Sequence, residues 1–443
     1  MTRVRLLPLL LLAVLAAAVP GTAHAAGLRA GAATADITPA NGGSTLGFVR
    51  PDITVKGARG RLTGRALVLD DGDTKVALLS TDLAFALEKD SLIAQIADLG
   101  YSHANVLYTG THNHSGPEDL APWQVTQLAK AIREADARRV PARAGWATAQ
   151  VPDVNENRSI EPHLANHGQD REPGQGKLEN DPAGAEHARD TTLRVLRVER
   201  TDGRPLAAWM EFPVHLTTST PRADLWDADL AGATNHHLHH GEFKVPGAGP
   251  GFVPLWTNGS SGDLKPLYDS YNPSATMDLL GRRIAVKALQ AWNGAGGALR
   301  ADLPVDVRWT RACYCGQEVE PGKRVSSSPF FGLPFLGGSQ DGASIFYEPG
   351  QTEGRRRPAG TGDPVHGRKL IVPVPTDRIV HEVNPEIQAF RIGDRLVLAA
   401  PGEPSVEMAR RFEDAVRPAL PAGVKDVVVI GLANDYLGYL TTP

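Results

Sequence analysis

The stretch "RALVLDDGDTKVALLSTDLA", Arg65 to Ala84, decides the fold class. Two apolar runs flank "DDGD", a strong turn signal, so the segment predicts a β-hairpin. Working outward, "LEKDSLIAQIADL" (87–99) carries apolar residues at helical spacing and predicts a helix. "ANVLYTGTHNH" (104–114) predicts a buried strand that ends in polar residues, and "WQVTQLAKAIREADARR" (Trp123 to Arg139) a second helix. Strand, helix, strand, helix is an α/β pattern. Such folds place their chemistry in loops beyond the carboxyl ends of strands, where "GTHNHSGP" (110–117) sits.

Further along, residues 166–188 are polar and rich in Gly and Pro and predict a long loop. "TTLRVLRVERTDGRPLAAWMEFPVHL" predicts a second hairpin turning at "TDGR", and "SATMDLLGRRIAVKALQAWNG" a helix stopped by Asn-Gly. Residues 316–365 are again loop-rich, and the end returns to α/β with "RLVLAAPGEPSVEMARRFEDAV" and "DVVVIGLANDYLGYLTTP". No tandem repeat, coiled coil or linker interrupts the chain, so residues 26–443 are expected to form one domain.

The first twenty-five residues address the compartment. Arg3 and Arg5 precede an apolar run, Leu6 to Val19, broken only by Pro8, and Ala23-His24-Ala25 follows. A charged start, a short apolar core and an A-x-A site predict a secretory signal peptide spanning residues 1–25. The run is shorter than the roughly 20 residues a membrane span needs, and no later stretch is long and apolar enough. A secreted protein without a transmembrane segment is expected. Removing residues 1–25 takes away two positive charges and moves the formal net charge from −4 to −6. Mild acidity with mixed signs excludes the basic footprint of a nucleic-acid partner. Cys313 and Cys315 are the only cysteines, so the core rather than a disulfide framework must hold the fold. Two thiols or one local bridge are the alternatives there.

Several residues able to carry chemistry close apolar strands. His112 and His114 share a side if the strand continues through them. His215 in "EFPVHLTT", Glu403 after "RLVLAAPG", and Tyr436 and Tyr439 in "NDYLGY" each stand where a strand gives way to a loop. Imidazoles and a carboxylate converging at strand ends are a metal-site pattern. "NHHLHHGEF" puts His236, His239 and His240 on one helical face, expected as a solvated helix for want of a carboxylate or cysteine partner. Asn157-Arg-Ser and Asn258-Gly-Ser match the glycosylation triplet, a pattern common by chance. Asp82 and Asp341 are candidate carboxylates for orienting ligands or capping loops.

The motifs "TADITP", "THNHSGP", "NRS" (157–159), "FPVH", "TNGSSGDLKP", "GGSQDG", "APGE" and "NDYLGYLTT" occur in the order found in the neutral/alkaline (non-lysosomal) ceramidase family. From Gly31 to the last residue the chain resembles that family's catalytic domain. The resemblance implies an α/β domain of mixed β-sheets flanked by helices, and a zinc-dependent amidase that cuts the N-acyl bond of ceramide or a similar N-acyl lipid. It implies Zn²⁺ bound by His112, His215, Glu403 and Tyr439, with His114 as acid/base and Arg158 on the scissile carbonyl or its oxyanion. It also implies a lipid-like N-acyl amide substrate, of the kind met at a membrane surface.

Two departures qualify that picture. Lys265 stands where the family carries its proposed serine nucleophile, and a lysine attacking an amide would only make another amide. Attack by zinc-activated water is therefore expected, with Arg158 or Lys265 steadying the oxyanion. A rearranged loop bringing in Ser260 or Ser261 is the lesser alternative. The sequence also stops at "LTTP", where the family continues into an acidic, tyrosine-bearing segment and often an immunoglobulin-like domain, so a catalytic domain alone is expected. A zinc-containing binding protein that has lost catalysis, and a hydrolase of another N-acyl amide or ester, remain open as alternatives.

Overall fold

Alternation along the longer strands builds two main sheets among the described residues. The computed structural model describes residues 27–48, 52–167, 185–267, 272–313, 316–324 and 384–442, with a few isolated positions between 331 and 372. The signal-peptide stretch, Asp341 and most of the two loop-rich regions lie outside the described residues. The larger sheet comprises β1 (Arg29–Asp36), β2 (Thr63–Asp70), β3 (Lys75–Thr81), β4 (Val106–Gly110), β5 (Val140–Gln150), β6 (Thr192–Arg200), β7 (Pro205–Glu211) and β8 (Val253–Thr257). Their order across the sheet is β8-β7-β6-β5-β1-β2-β3-β4. The smaller sheet runs β9 (Val305–Arg311), β10 (Glu386–Ile392), β11 (Arg395–Ala399) and β12 (Asp426–Ile430) in sequential order.

Both expected hairpins form. In the first, Gly64 pairs with Thr81 and Asp70 with Lys75. Asp71 closes the turn by accepting from the amides of Asp73 (3.1 Å) and Thr74 (2.8 Å), while Gly72 takes φ 98°, a backbone state that favours glycine. The other Asp71 oxygen accepts from the Val305 amide at 2.8 Å, tying the turn to the first strand of the smaller sheet.

Period two then separates two cores. Leu67 and Leu69 of β2 pack with Phe390, Ile392, Val397, Val428 and Ile430 of the smaller sheet, so the sheets stack face to face. Each fully buried aliphatic or aromatic side chain there contributes about 1.5–3 kcal/mol. Ala66 and Val68 face the other way, against a helical layer. That layer contains α1 (Lys89–Ala94) and α2 (Pro122–Ala137). Proline at its first turn and the Gln124 side chain, which accepts from the Ala121 amide at 2.8 Å, start α2. α3 (Asp229–His239) and α4 (Pro273–Gly294) cover the far half of the larger sheet, and α5 (Val406–Val416) covers the outer face of the smaller. Asn272 caps α4 by accepting from the amides of Ser274 and Ala275. The result is helix, sheet, sheet, helix in four layers.

The helix expected over 87–99 is shorter than its apolar spacing implies. Its α-helical part is α1, followed by a tighter turn at Ala97–Leu99 that ends on Gly100 at φ 82°. At its start, Glu88 takes a left-handed φ of 59° and the Lys89 ammonium is drawn inward to Glu386 Oε2 (2.5 Å) and Asn434 Oδ1 (2.8 Å), so the helix begins at Lys89. Cys313 is disulfide-bonded, which removes the two-thiol alternative.

Within these two sheets, three neighbouring strand pairs are parallel: β3 with β4, β7 with β8, and β11 with β12. His112, His215 and Glu403 follow the carboxyl ends of β4, β7 and β11. Topology thus delivers all three to one rim.

Candidate metal centre

His112 leaves β4 on a sharp bend. The strand ends at Gly110, and a Cβ there would lie 2.6 Å from the backbone of Phe85, so only glycine fits. His112 itself adopts φ 65°, a left-handed state costly for a non-glycine residue. The expectation that His112 and His114 share a strand face therefore gives way: the bend, not strand alternation, brings them together. Their rings lie 4.7 Å apart at 86°, with Nε2 to Nε2 at 3.4 Å.

Backbone carbonyls fix two of the three imidazoles that meet here. His112 Nδ1 donates to the Ala84 carbonyl at 3.1 Å. His215 Nδ1 donates to the Ser261 carbonyl at 2.6 Å and approaches that of Leu264 at 3.1 Å. With the proton held on Nδ1, each ring turns a bare Nε2 toward the centre, the arrangement in which histidine binds metals. His114 differs: its Nε2 faces the same centre, but its buried Nδ1 has no partner. Phe48 meets the ring edge-on at 4.8 Å, and Gly47 lies so close that a Cβ would fall 2.2 Å from its Cγ. Between the two histidines, Asn113 donates to the carbonyls of Asp82 (3.0 Å) and Asp227 (2.5 Å) and pins the loop.

Glu403 completes the cluster. Its Oε2 lies 3.2 Å from His112 Nε2 and 3.1 Å from His215 Nε2, yet is buried without a hydrogen-bond donor. The His112 lone pair and the carboxylate oxygen face one another as acceptors in want of a cation. The ligand atoms of His112, His114 and His215 all lie within 4.8 Å of one another. Arg158 brings a positive charge to the same place, its guanidinium 2.7 Å from His215 Nε2, 3.1 Å from the Tyr439 hydroxyl and 3.2 Å from the Gly262 carbonyl. The donor set, nitrogen and oxygen with borderline softness, fits zinc.

Electrostatics keep the donors in their binding forms. Burial, with Arg158 and His112 beside it, pushes His215 down to about 4. Burial first and then its two imidazole neighbours push His114 well below the usual range. For Glu403 burial acts upward, but His112 and His215 together outweigh it and hold the carboxyl well below its ordinary value. His114 and His215 are therefore neutral and Glu403 ionised at neutral pH.

The expected residues reach this centre unequally. Tyr439 pairs with Glu403 in a short parallel bridge, and its ring lies 6.4 Å from that of His215. Tyr436 contacts Glu403 directly, donating to Oε1 at 2.5 Å while its ring stacks on Phe85 at 4.1 Å. Nothing in the local sequence of Tyr436 signals that orienting role. Lys265 faces Glu156 across the short antiparallel pair formed by Asn155–Asn157 and Leu264–Pro266, and its ammonium is bonded to that carboxylate. The Ser261 carbonyl meets Nδ1 of His215, on the side of the ring away from Nε2.

Among the remaining candidates, Asp82 caps rather than orients a ligand. Its carboxylate binds Arg65 (2.7 Å) and the Thr63 amide (2.9 Å). His236 and His240 are exposed on α3 and its cap as expected, whereas His237 is buried and bonded to Asp278 at 2.9 Å. Asn157 and Asn258, which head the glycosylation triplets, are both buried.

Layered sheets with a histidine and carboxylate cluster at their rim have the form of a metal-site enzyme, and comparison with known proteins gives the amidase class. The family model described as neutral/alkaline non-lysosomal ceramidase, N-terminal, matches residues 28–272, and the chain belongs to that family. A Mycobacterium tuberculosis protein named neutral ceramidase is 25% identical over 476 residues, covering 94% of this chain and 72% of its own length. The Pseudomonas aeruginosa neutral ceramidase is 26% identical over 477 residues, covering 97% and 69%. The crystal structure of neutral ceramidase from Pseudomonas aeruginosa superposes with a TM-score of 0.72 at 23% identity, covering 94% of this chain and 69% of that one. A ceramidase complexed with C2 gives 0.74 at 24% identity, covering 94% and 70%. At that identity the two structures establish the shared fold.

Proposed function

We propose that this chain is a secreted, zinc-dependent amidohydrolase that cleaves the N-acyl amide bond of ceramide or a similar N-acyl lipid. The observation that carries the reading is the convergence of His112 Nε2, His215 Nε2 and Glu403 Oε2 on one buried point, with both Nδ1 atoms committed to carbonyls. His112, His215 and Glu403 would hold the ion, and Tyr439 is the phenol proposed as fourth ligand. When bound, zinc supplies a Lewis acid and lowers the pKa of water at its open position toward neutrality.

The chain's own residues then divide the work. His114 faces the centre through Nε2 and lacks the carbonyl brace of the other two. It is the acid/base group: it takes a proton as water oxygen bonds to the carbonyl carbon, and returns it to nitrogen as the C–N bond breaks. The products are a fatty acid and an amine. Arg158 offers guanidinium N–H groups beside the ligands and steadies the oxyanion. Lys265 is held by Glu156, so its sequence-based share in the oxyanion passes to Arg158. Tyr436 fixes which oxygen Glu403 turns to the ion. The names of the relatives support ceramide as the model substrate, and the leader-like first twenty-five residues support secretion.

Incubating the purified protein with a fluorogenic N-acyl amide, with and without chelator, tests this. Turnover abolished by chelator and restored by zinc is expected. Chelator-resistant turnover would overturn the zinc assignment. Zinc binding without hydrolysis, gained only on Lys265→Ser, would identify the lapsed enzyme instead.

A further inference from the structure

Asn258 follows the last residue of β8 and is fully buried. Its side-chain amide donates one hydrogen to the Thr111 carbonyl at 3.1 Å and the other to the Val214 carbonyl at 2.7 Å. Its Oδ1 accepts from the Val214 amide at 3.1 Å. Thr111 and Val214 are the residues immediately before His112 and His215. The same residue's main-chain carbonyl accepts from the Gly431 amide at 3.0 Å, just beyond β12.

Two carbonyls on one side and an N–H on the other fix the amide's orientation, and both its donors are used. Because these three bonds reach two chain segments, the side chain acts as a spacer between the two histidine carriers. The next residue enforces the fit: a Cβ on Gly259 would lie 1.9 Å from Glu211 Oε1, so the backbone carrying Asn258 packs directly on the end of β7. Metal sites tolerate ligand distances only within about 0.2 Å, so a spacer between carriers sets affinity as well as stability.

We infer that Asn258 is a positioning residue that sets the separation of the His112 and His215 imidazoles and thereby the metal affinity of the site. This rests on the metal reading above. Asn155 supplies a matched control. It is equally buried and donates to two carbonyls, those of Asp190 and Pro213, both at 2.8 Å, but it touches only the His215 side of the site.

The experiment compares the parent with Asn258→Ala, Asn258→Leu and Asn155→Ala. Zinc affinity is read by competition with a chromophoric chelator, ligand geometry by the visible spectrum of the cobalt(II)-loaded protein, and stability by the Tm of metal-free protein. Both Asn258 variants should bind zinc about 10–100-fold more weakly and shift the cobalt spectrum. Asn155→Ala should lose Tm while keeping the parent's affinity and spectrum. Should the Ala variant fail to fold, the Leu variant, closer in shape, still decides. Parent-like zinc affinity in the Asn258 variants would overturn the spacer, as would losses that merely track Tm across all three. A parent that binds no zinc would overturn the metal reading and the spacer with it, an outcome visible before any variant is measured.

Discussion

The Tyr436 hydroxyl donates to Oε1 of Glu403 at 2.5 Å, so the other oxygen, Oε2, is the one turned to His112 and His215. A carboxylate held this way meets an ion with one oxygen and one geometry. Tyr436→Phe keeps the ring on Phe85 and deletes the bond to Glu403. It should cost about 1 kcal/mol of stability, more if Oε1 is left dry, and weaken zinc binding about 10-fold or more. Calorimetry and metal competition on the same preparation check both. Unchanged zinc affinity would reduce Tyr436 to a packing residue.

The carbonyl brace separates ligands from the acid/base group. His112→Ala and Glu403→Ala should each lose the metal. His114→Ala should retain it and lose about 10²–10⁴-fold in kcat. Metal content and rate measured side by side distinguish the roles, and an empty site in His114→Ala would reverse the division drawn between the two histidines.

Lys265 and Arg158 make opposite predictions. The ion pair with Glu156 is partly exposed, so Lys265→Met should change stability by no more than about 1 kcal/mol and leave turnover near the parent's. Arg158→Met, which removes the guanidinium from beside His215, should cost about 10²–10³-fold in kcat. A comparable loss in Lys265→Met would return the oxyanion role to that side chain.

Asp227, whose carboxylate is bonded to Arg59, gives a pH signature of its own. Burial first, and then the neighbouring Asp229 carboxylate, raise its pKa to about 6, with Arg59 opposing. A carboxyl whose folded pKa exceeds its unfolded value stabilises the fold while protonated. That contribution is complete below about 4 and lost as pH rises through about 6. Asp227→Asn should therefore gain stability relative to the parent between pH 4 and 8, by on the order of 1–3 kcal/mol less the lost bond to Arg59. Denaturant melts across that range check it, and a difference independent of pH would contradict the assignment.

The hairpin at 65–84 and the helices at 123–139 and 274–294 were legible because local period and turn chemistry agree with their tertiary setting. So was the convergence of His112, His215 and Glu403, since each follows an apolar strand and parallel pairing brings such ends together. Less was legible where distant partners decide. The helix over 87–99 begins only at Lys89, whose side chain turns inward to Glu386 and Asn434, contacts that no local period reveals. His112 reaches the centre through a left-handed backbone, so strand alternation gave the correct neighbours for the wrong reason. The cross-strand contact of Lys265 with Glu156 and the bridge made by Asn258 are register effects, invisible until the strands are paired.

The most direct measurement is zinc stoichiometry by elemental analysis, on the purified parent and on Glu403→Gln, after dialysis against trace-metal-free buffer. A centre built from His112, His215 and Glu403 predicts one zinc per parent chain and a strong loss in the variant. A metal-free parent with full amidase activity, or a variant that keeps its zinc, would contradict it.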